Sequence, residues 1–525
     1  MINNQAVVVR DDDSDTAVSG IGGTHPVKAS FKFLWAIVSG LLLTLAFPHA
    51  DIGWFAFFAV VPFLRTFPYA RSRAAFGHGF LFGLTYFCCL LYWIAVFAET
   101  KIGAFGVGAW LILSARESLW VGLFAMGFNQ LSKRTTGVIM IVGAASLWTA
   151  IEWARQLGQL GFGWGDLAYS QSHFLPFIQI ASIAGIWGVS FLIMLTNAAL
   201  ATGNWRAIAA TAAVIFLVCI VGQLRIANHK ISPERTVVAS LQENVSEDVP
   251  YSGLRPADSS YFYGTLNQFD RMAEEAKSRY GASLCVTAET SIPGYPNLDY
   301  PLKSILINIA KADNVDLIAG ARDIDPVSQE DTNSVFVYHP NGSVSGPYNK
   351  QQLVPFGEYV PGRSTFPFLN SFHVLDFDMH AGAPGQPPLD AGDSYKAGIA
   401  VCYESTYPRF LREQVRQGAT FDVVVTDDTW YGRTAAAQQH FEMSVLRAVE
   451  TDRSLVRCAT TGISGIISPT GAVLSSAGLF KQAIVAGTVE QRHDMTPFVR
   501  YGDWFPILCL IFSFISLILR GRSDQ

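Results

Sequence analysis

The sequence predicts a polytopic α-helical membrane domain joined to an α/β domain, and three observations carry that expectation. Half of the 525 residues are apolar and only 15% are charged, a balance uncommon in a soluble chain of this length. The apolar residues gather in long runs over the first 225 positions and in one further run near the end. Between them, short β-branched runs alternate with amphipathic stretches, the pattern of a sheet covered by helices. Four segments follow: a tail over 1–28, a seven-helix membrane domain over 29–225, an α/β domain over 226–502, and a last span with a short tail over 503–525.

The tail, with DDDSD and GIGG, reads as disordered and cytoplasmic. It is no signal peptide, because acidic residues stand where a basic n-region belongs. Apolar runs near 31–48, 52–69, 76–98, 104–130, 137–156, 176–201, 206–224 and 503–520 read as eight spans. Several are long enough to cross a ~30 Å hydrocarbon core at about 1.5 Å per residue. Pro48, Pro62 and Arg65 interrupt the first two. If all eight cross, Lys28, Lys32, Arg65, Arg71, Arg73, Lys133, Arg134, Arg206, Arg520 and Arg522 share one side. The opposite loops are poor in Lys and Arg, with Lys101 and Arg155 among the few. Both termini are therefore expected in the cytoplasm and residues 226–502 outside it, in the periplasm of a Gram-negative cell.

The net charge of −5 gives no reason to expect nucleic acid. Of seven cysteines, only Cys285, Cys402 and Cys458 lie in the polar segment, without the spacing of a metal site or a disulfide framework. Neither metal nor cofactor is expected. Two features interrupt the apolar pattern. Arg116 and Glu117 sit inside the fourth span, where they either face a polar cavity or pair with other spans. The loop 155–176 is rich in Gly and aromatics; its Trp164 and Tyr169 either anchor at the interface or line a lipid entrance.

In the α/β segment TVVASLQ, SLCVTAE, DLIAGARD, AGIAVC, FDVVVTDD and LVRCATT read as strands. YFYGTLNQFDRMAEEAKSRY, PLKSILINIAKAD, YPRFLREQVRQG and AAAQQHFEMSVLRAVETD read as helices, and residues 333–350 as a hairpin turning at Asn341-Gly342. Three reactive side chains stand at the ends of strands: Glu289, Lys350 and Cys402. Their types suit acyl chemistry. A thiol attacks a carbonyl, a carboxylate takes and returns its proton, and an ammonium stabilises the anionic intermediate and lowers the thiol pKa. Taken singly, Cys402 reads as a small buried hydrophobe and the other two as salt-bridge residues.

The ordered set TAETSIP, YNKQQLVPFGEYVP and AVCYEST resembles the Glu–Lys–Cys signature of the nitrilase, or carbon–nitrogen hydrolase, superfamily, and TDDTWYG with QQHFEMSVLRAVET is similar to the segments after its nucleophile. With membrane spans on both sides and the GFGWGDLAYSQ loop, the chain resembles the apolipoprotein N-acyltransferase family over nearly all of its length beyond the tail. The resemblance implies a four-layer αββα domain. It implies that Cys402 takes an acyl chain from a membrane phospholipid as a thioester, and that the free α-amine of a diacylglyceryl-cysteine at an apolipoprotein N-terminus then receives it. Glu289, Lys350 and Cys402 match the family triad, and Glu358, Tyr403 and Glu404 its supporting positions. Trp164, Tyr169, Tyr251 and Trp430 become candidates for lipid-entrance or substrate contacts. The first strand departs from the family pattern: LQENVSEDVPY replaces a Gln-Gly-Asn run followed by Trp, with Tyr251 standing near that position. The expected protein is a monomer in the inner membrane. A membrane-tethered amidase using water as acceptor, or an idle scaffold, are the alternatives.

Overall fold

The computed structural model describes residues 29–96, 105–245, 251–363, 365–366, 378–392 and 394–518. The acidic tail, Lys101, Arg520 and Arg522 lie outside them. The apolar part is a bundle of α1 (Ala29–Thr44), α2 (Ser72–Leu90), α3 (Phe105–Arg134), α4 (Gly137–Arg155), α5 (Ile186–Thr202) and α6 (Trp205–Ala227), joined by the C-terminal helix Trp504–Ile518. Among the described residues, α3, α4 and α6 are long and apolar enough to cross a membrane by themselves. Helices α2 and α3 meet backbone to backbone: a Cβ on Gly79 would stand 2.6 Å from the Val121 carbonyl oxygen.

Two stretches that read as single spans are broken instead. Residues 52–69 form a 3-10 turn, Gly53–Phe57, and a short helix, Val61–Leu64. Residues 176–201 form Leu175–Ile178, Ala181–Ala184 and α5, with Gly185 at φ +66° between the last two. Apolar composition cannot reveal such breaks, because buried side chains satisfy the freed backbone groups. Asn197 in α5 accepts from the Val60 amide at 2.9 Å and donates to the Ala56 carbonyl at 2.7 Å. Ser39 accepts from the Phe63 amide at 3.0 Å.

The basic residues gather at one end of the bundle. Lys133 donates to the Ala70 carbonyl, beside Arg71 and Arg73, and Arg134 to that of Leu517. Arg65 donates to the Leu200 carbonyl at 3.0 Å, next to the start of α6 and Arg206. Helix α6 runs from that end to the α/β domain, where Arg225 pairs with Asp452 at 2.6 Å.

Among the described residues that domain has two six-stranded sheets, besides a short pairing of Tyr251–Ser252 with Arg255–Pro256. The strands of the two sheets are β1 (Arg235–Gln242), β2 (Leu284–Thr287), β3 (Asp316–Ile324), β4 (Asp331–Tyr338), β5 (Val344–Asn349), β6 (Leu389–Asp390), β7 (Lys396–Val401), β8 (Phe421–Thr426), β9 (Leu455–Ala459), β10 (Ser464–Ile467), β11 (Val473–Ala477) and β12 (Ala483–Glu490). One sheet has the order β12-β1-β2-β3-β4-β5 and the other β11-β10-β9-β8-β7-β6. The middle strands β1, β2 and β3, and likewise β7, β8 and β9, run parallel. Alternation places Val238, Val286 and Ile318 against Ile399, Val401 and Val423 between the sheets. Ala239, Cys285 and Leu317 face outward onto α7 (Ser259–Tyr280) and α8 (Tyr300–Asp313). The outer face of the second sheet packs on α9 (Pro408–Arg416) and α10 (Ala436–Thr451). Their apolar cluster is continuous with the core of the helical bundle. The result is the expected αββα sandwich, seated through α9 and α10 on the membrane half. The edge strand β12 was not anticipated: AIVAGTVE lacks the β-branched alternation that marks a strand, and it pairs antiparallel to β1 at the edge of the first sheet.

Candidate active site

Strand ends bring the three reactive groups into one buried cluster. Glu289 follows β2, Lys350 follows β5, and Cys402 follows β7. Lys350 is 1% exposed and its Nζ donates to Glu289 Oε1 at 2.9 Å and to Glu358 Oε1 at 2.7 Å. Asn333 donates to the same two oxygens, at 2.7 and 3.3 Å. The other oxygen of Glu289 accepts from the Asp427 amide at 2.7 Å, and that of Glu358 from the Val354 amide at 2.7 Å. Both carboxylates therefore have fixed geometry and one shared cation. Burial alone would lower the Lys350 pKa; Glu289 and Glu358 outweigh it and hold the ammonium well above its ordinary value.

Cys402 is 7% exposed and has φ +50°, a region that residues other than Gly rarely occupy. Its thiol lies within electrostatic reach of Glu289 and Lys350. Burial first, then Glu289, push the thiol well above its ordinary pKa, and Lys350 lowers it by less. The reduction in pKa expected from the ammonium is therefore present but outweighed. The resting group is a thiol, so a base must take its proton during attack.

The turn Cys402–Thr406 is tied on two sides. Glu404, fully buried, accepts from the Val401 amide at 2.8 Å, the Gln351 amide at 2.6 Å and the Tyr348 hydroxyl at 3.1 Å. It thereby couples the nucleophile turn to the Lys350 segment, and burial raises its carboxyl to about 7. On the other side stands loop 155–176 of the membrane half. Tyr403 and Tyr407 donate to the Gly161 carbonyl at 3.0 and 2.5 Å, and Tyr169 donates to the Thr406 carbonyl at 3.0 Å. Gly163 is required there: a Cβ would lie 2.9 Å from the Thr406 carbonyl oxygen.

The aromatic candidates separate in space. Trp164 is 1% exposed, donates to Gln439 Oε1 at 2.7 Å, and packs on Trp93 and Tyr431. Tyr169 is equally buried and joins loop to turn, so neither is an interfacial anchor. Trp430 is 46% exposed beside them, and the Tyr251 side chain lies outside the described residues. Glu117 is fully buried and paired with Arg116 and with Arg155, which also pairs with Asp166. Sequence reasoning missed Asn333, Asp428, His440 and Arg457. The available signal was α10, which is buried on all sides yet contains Gln439, His440, Glu442, Arg447 and Glu450.

One cluster outside the site could offer three ligand atoms to a cation: Asp51, His173 and Glu442, within 4.8 Å of one another. His173 already bridges the two carboxylates, with Nε2 3.0 Å from Asp51 and 3.4 Å from Glu442. Its hydrogen bond to Glu442, against the effect of burial, raises His173 to about 9. A raised histidine stabilises the fold fully below about pH 6.5, and that contribution is lost as pH rises through about 9. Thermal unfolding in detergent between pH 6 and 10 should show this decline in the wild type, and a flatter profile for His173→Gln.

The double sheet, with its reactive groups at strand ends, places the α/β half in the carbon–nitrogen hydrolase class. The family described as carbon-nitrogen hydrolase matches residues 248–494, and the apolipoprotein N-acyltransferase N-terminal domain matches residues 39–199. The apolipoprotein N-acyltransferase of Geobacter metallireducens is 32% identical, over 94% of this chain and 96% of that protein. That of Haemophilus influenzae is 28% identical, over 93% and 94%. Among solved structures, a nitrilase-superfamily member from Saccharomyces cerevisiae aligns at 16% identity and TM-score 0.38, over 50% of this chain and 92% of that one. The chain belongs to the apolipoprotein N-acyltransferase family.

Proposed function

We propose that this protein moves an acyl chain from a membrane phospholipid, through a thioester on Cys402, to the α-amine of an N-terminal diacylglyceryl-cysteine. The observation that carries the reading is the seat of the nucleophile: the Cys402 turn is bolted to loop 155–176 of the membrane half by Tyr403, Tyr407 and Tyr169. A thiol at that seam meets lipid esters, whereas a soluble amide would need no such seat. In the first stage Glu289 takes the Cys402 proton as the sulfur attacks the ester carbonyl. Lys350 and the backbone N–H beside Cys402 hold the oxyanion. The lysophospholipid oxygen leaves with the proton from Glu289. In the second stage the acceptor amine attacks the thioester, Glu289 takes the amine proton, and the thiolate leaves and is reprotonated. Glu358 holds Lys350, and Glu404 holds the turn.

The basic cluster at one end of the bundle supports a cytoplasmic position for that end, by the preference of Lys and Arg for the cytoplasmic side. The sandwich, residues 226–502, then stands on the outer face of the inner membrane between a membrane domain over 29–225 and the last span over 503–525. Purified protein, incubated with acyl-labelled phospholipid and a diacylated lipopeptide bearing a free α-amine, should yield labelled triacylated peptide. Label recovered only as free fatty acid would make the protein a hydrolase and overturn the reading.

A further inference from the structure

Behind the nucleophile lies a buried polar group that the steps above do not use. His440, on α10 and fully buried, places Nε2 2.8 Å from Ser405 Oγ and 3.2 Å from the Cys402 carbonyl oxygen. Ser405 Oγ donates to that same carbonyl at 2.7 Å. On the other side of the ring, Nδ1 is 2.9 Å from Arg457 Nη2 and 3.0 Å from Asp428 Oδ1. Arginine can only donate, so Nδ1 is the accepting nitrogen and the proton sits on Nε2. The Asp428 oxygen opposes that tautomer, but Arg457 is ion-paired to Asp428 at 2.9 Å and offsets it. Burial first, then Arg457, keep the imidazole uncharged. Asp428, His440 and Ser405 have the order of a charge-relay triad. Ser405 is fully buried, however, and its hydroxyl points back into its own turn, so it has no substrate to attack.

Two donors thus bracket one carbonyl, that of the residue with φ +50°. A peptide is planar and trans, so its C=O and the next N–H point in opposite directions. Fixing the Cys402 oxygen fixes the direction of the Tyr403 N–H, the backbone donor next to the thiol. We infer that His440 is a positioning residue for acyl transfer: through Ser405 and the Cys402 carbonyl it aims the Tyr403 N–H at the developing oxyanion. This rests on the acyl-transfer reading above. The same ring is packed between Trp164, at 5.5 Å, and Tyr431, at 5.8 Å. Trp164 comes from the membrane half, so docking of loop 155–176 also sets the ring that sets the turn.

Single-turnover formation of the Cys402 thioester from labelled phospholipid tests this. His440→Leu removes the donor and should slow acylation by on the order of 10²-fold, with half-saturation by donor lipid unchanged. His440→Gln keeps an N–H near the Nε2 position and should recover most of the rate, with the wild-type pH profile, because the ring transfers no proton. Ser405→Ala, a smaller change, should slow acylation by about tenfold with its thermal midpoint retained. Acylation by His440→Leu and Ser405→Ala at the wild-type rate overturns the inference. So does a His440→Gln variant as slow as His440→Leu, or one that loses a limb of the pH profile, since the ring would then be a proton carrier. If the wild type itself forms no thioester, the acyl-transfer reading falls instead.

Discussion

Cys402→Ser should lower acyl transfer by on the order of 10⁴-fold or more and leave the fold in place. The substitution exchanges sulfur for oxygen in a site 7% exposed, within the inter-sheet core, and keeps a group able to hydrogen-bond. Its cost in stability should be under about 1 kcal/mol. The loss is chemical. A hydroxyl is a far weaker nucleophile and a weaker acid than a thiol, so the base proposed for the first step, Glu289, would have a harder proton to remove. Mass spectrometry of the wild type incubated with donor lipid alone should find the acyl group on Cys402, labile to hydroxylamine. Cys285 and Cys458 are fully buried, and burial holds both thiols high, Cys285 at about 12. They should carry no label; an acyl group on either would refute the assignment of Cys402.

Lys350→Met should have two separable effects. Turnover should fall by on the order of 10³-fold, because the charge facing the oxyanion is gone. Stability should fall by about 3–5 kcal/mol, because Glu289 and Glu358 would keep buried carboxylates with no shared cation. Adding Glu358→Gln removes one of those charges and should restore about 1–2 kcal/mol of stability, with no return of activity. Denaturation midpoints and turnover of the single and double variants check both parts. A double variant that regained turnover would make Lys350 a structural ion-pair partner only.

The physical origin of the site explains why part of it was legible in the sequence. Glu289, Lys350 and Cys402 each end a strand or hairpin whose pattern is local, so their positions follow from β-periodicity and turn chemistry. Asn333 differs. It lies in β4, 44 residues from Glu289, and the pairing of β4 with β3, which itself lies beside β2, brings its amide to that carboxylate. His440 has a stronger lesson. On its own helix it is one polar residue among several, and it gains meaning only where α10 crosses beneath the Cys402 turn. The broken segments are similar: Asn197 and Ser39 satisfy free backbone groups of 52–69 from distant helices, and Glu450 accepts from the Ile186 amide at the break in 176–201.

The amino-acid sequence by itself determined the two-part organisation, the α/β class of the polar part, and which residue types stand at the strand ends. These depend on composition and short-range periodicity. Tertiary structure alone decided the charge balance around Lys350, the protonated state of the Cys402 thiol and the docking of loop 155–176 on the nucleophile turn. Burial and the convergence of groups far apart in the chain set those properties, and neither is encoded in any local pattern.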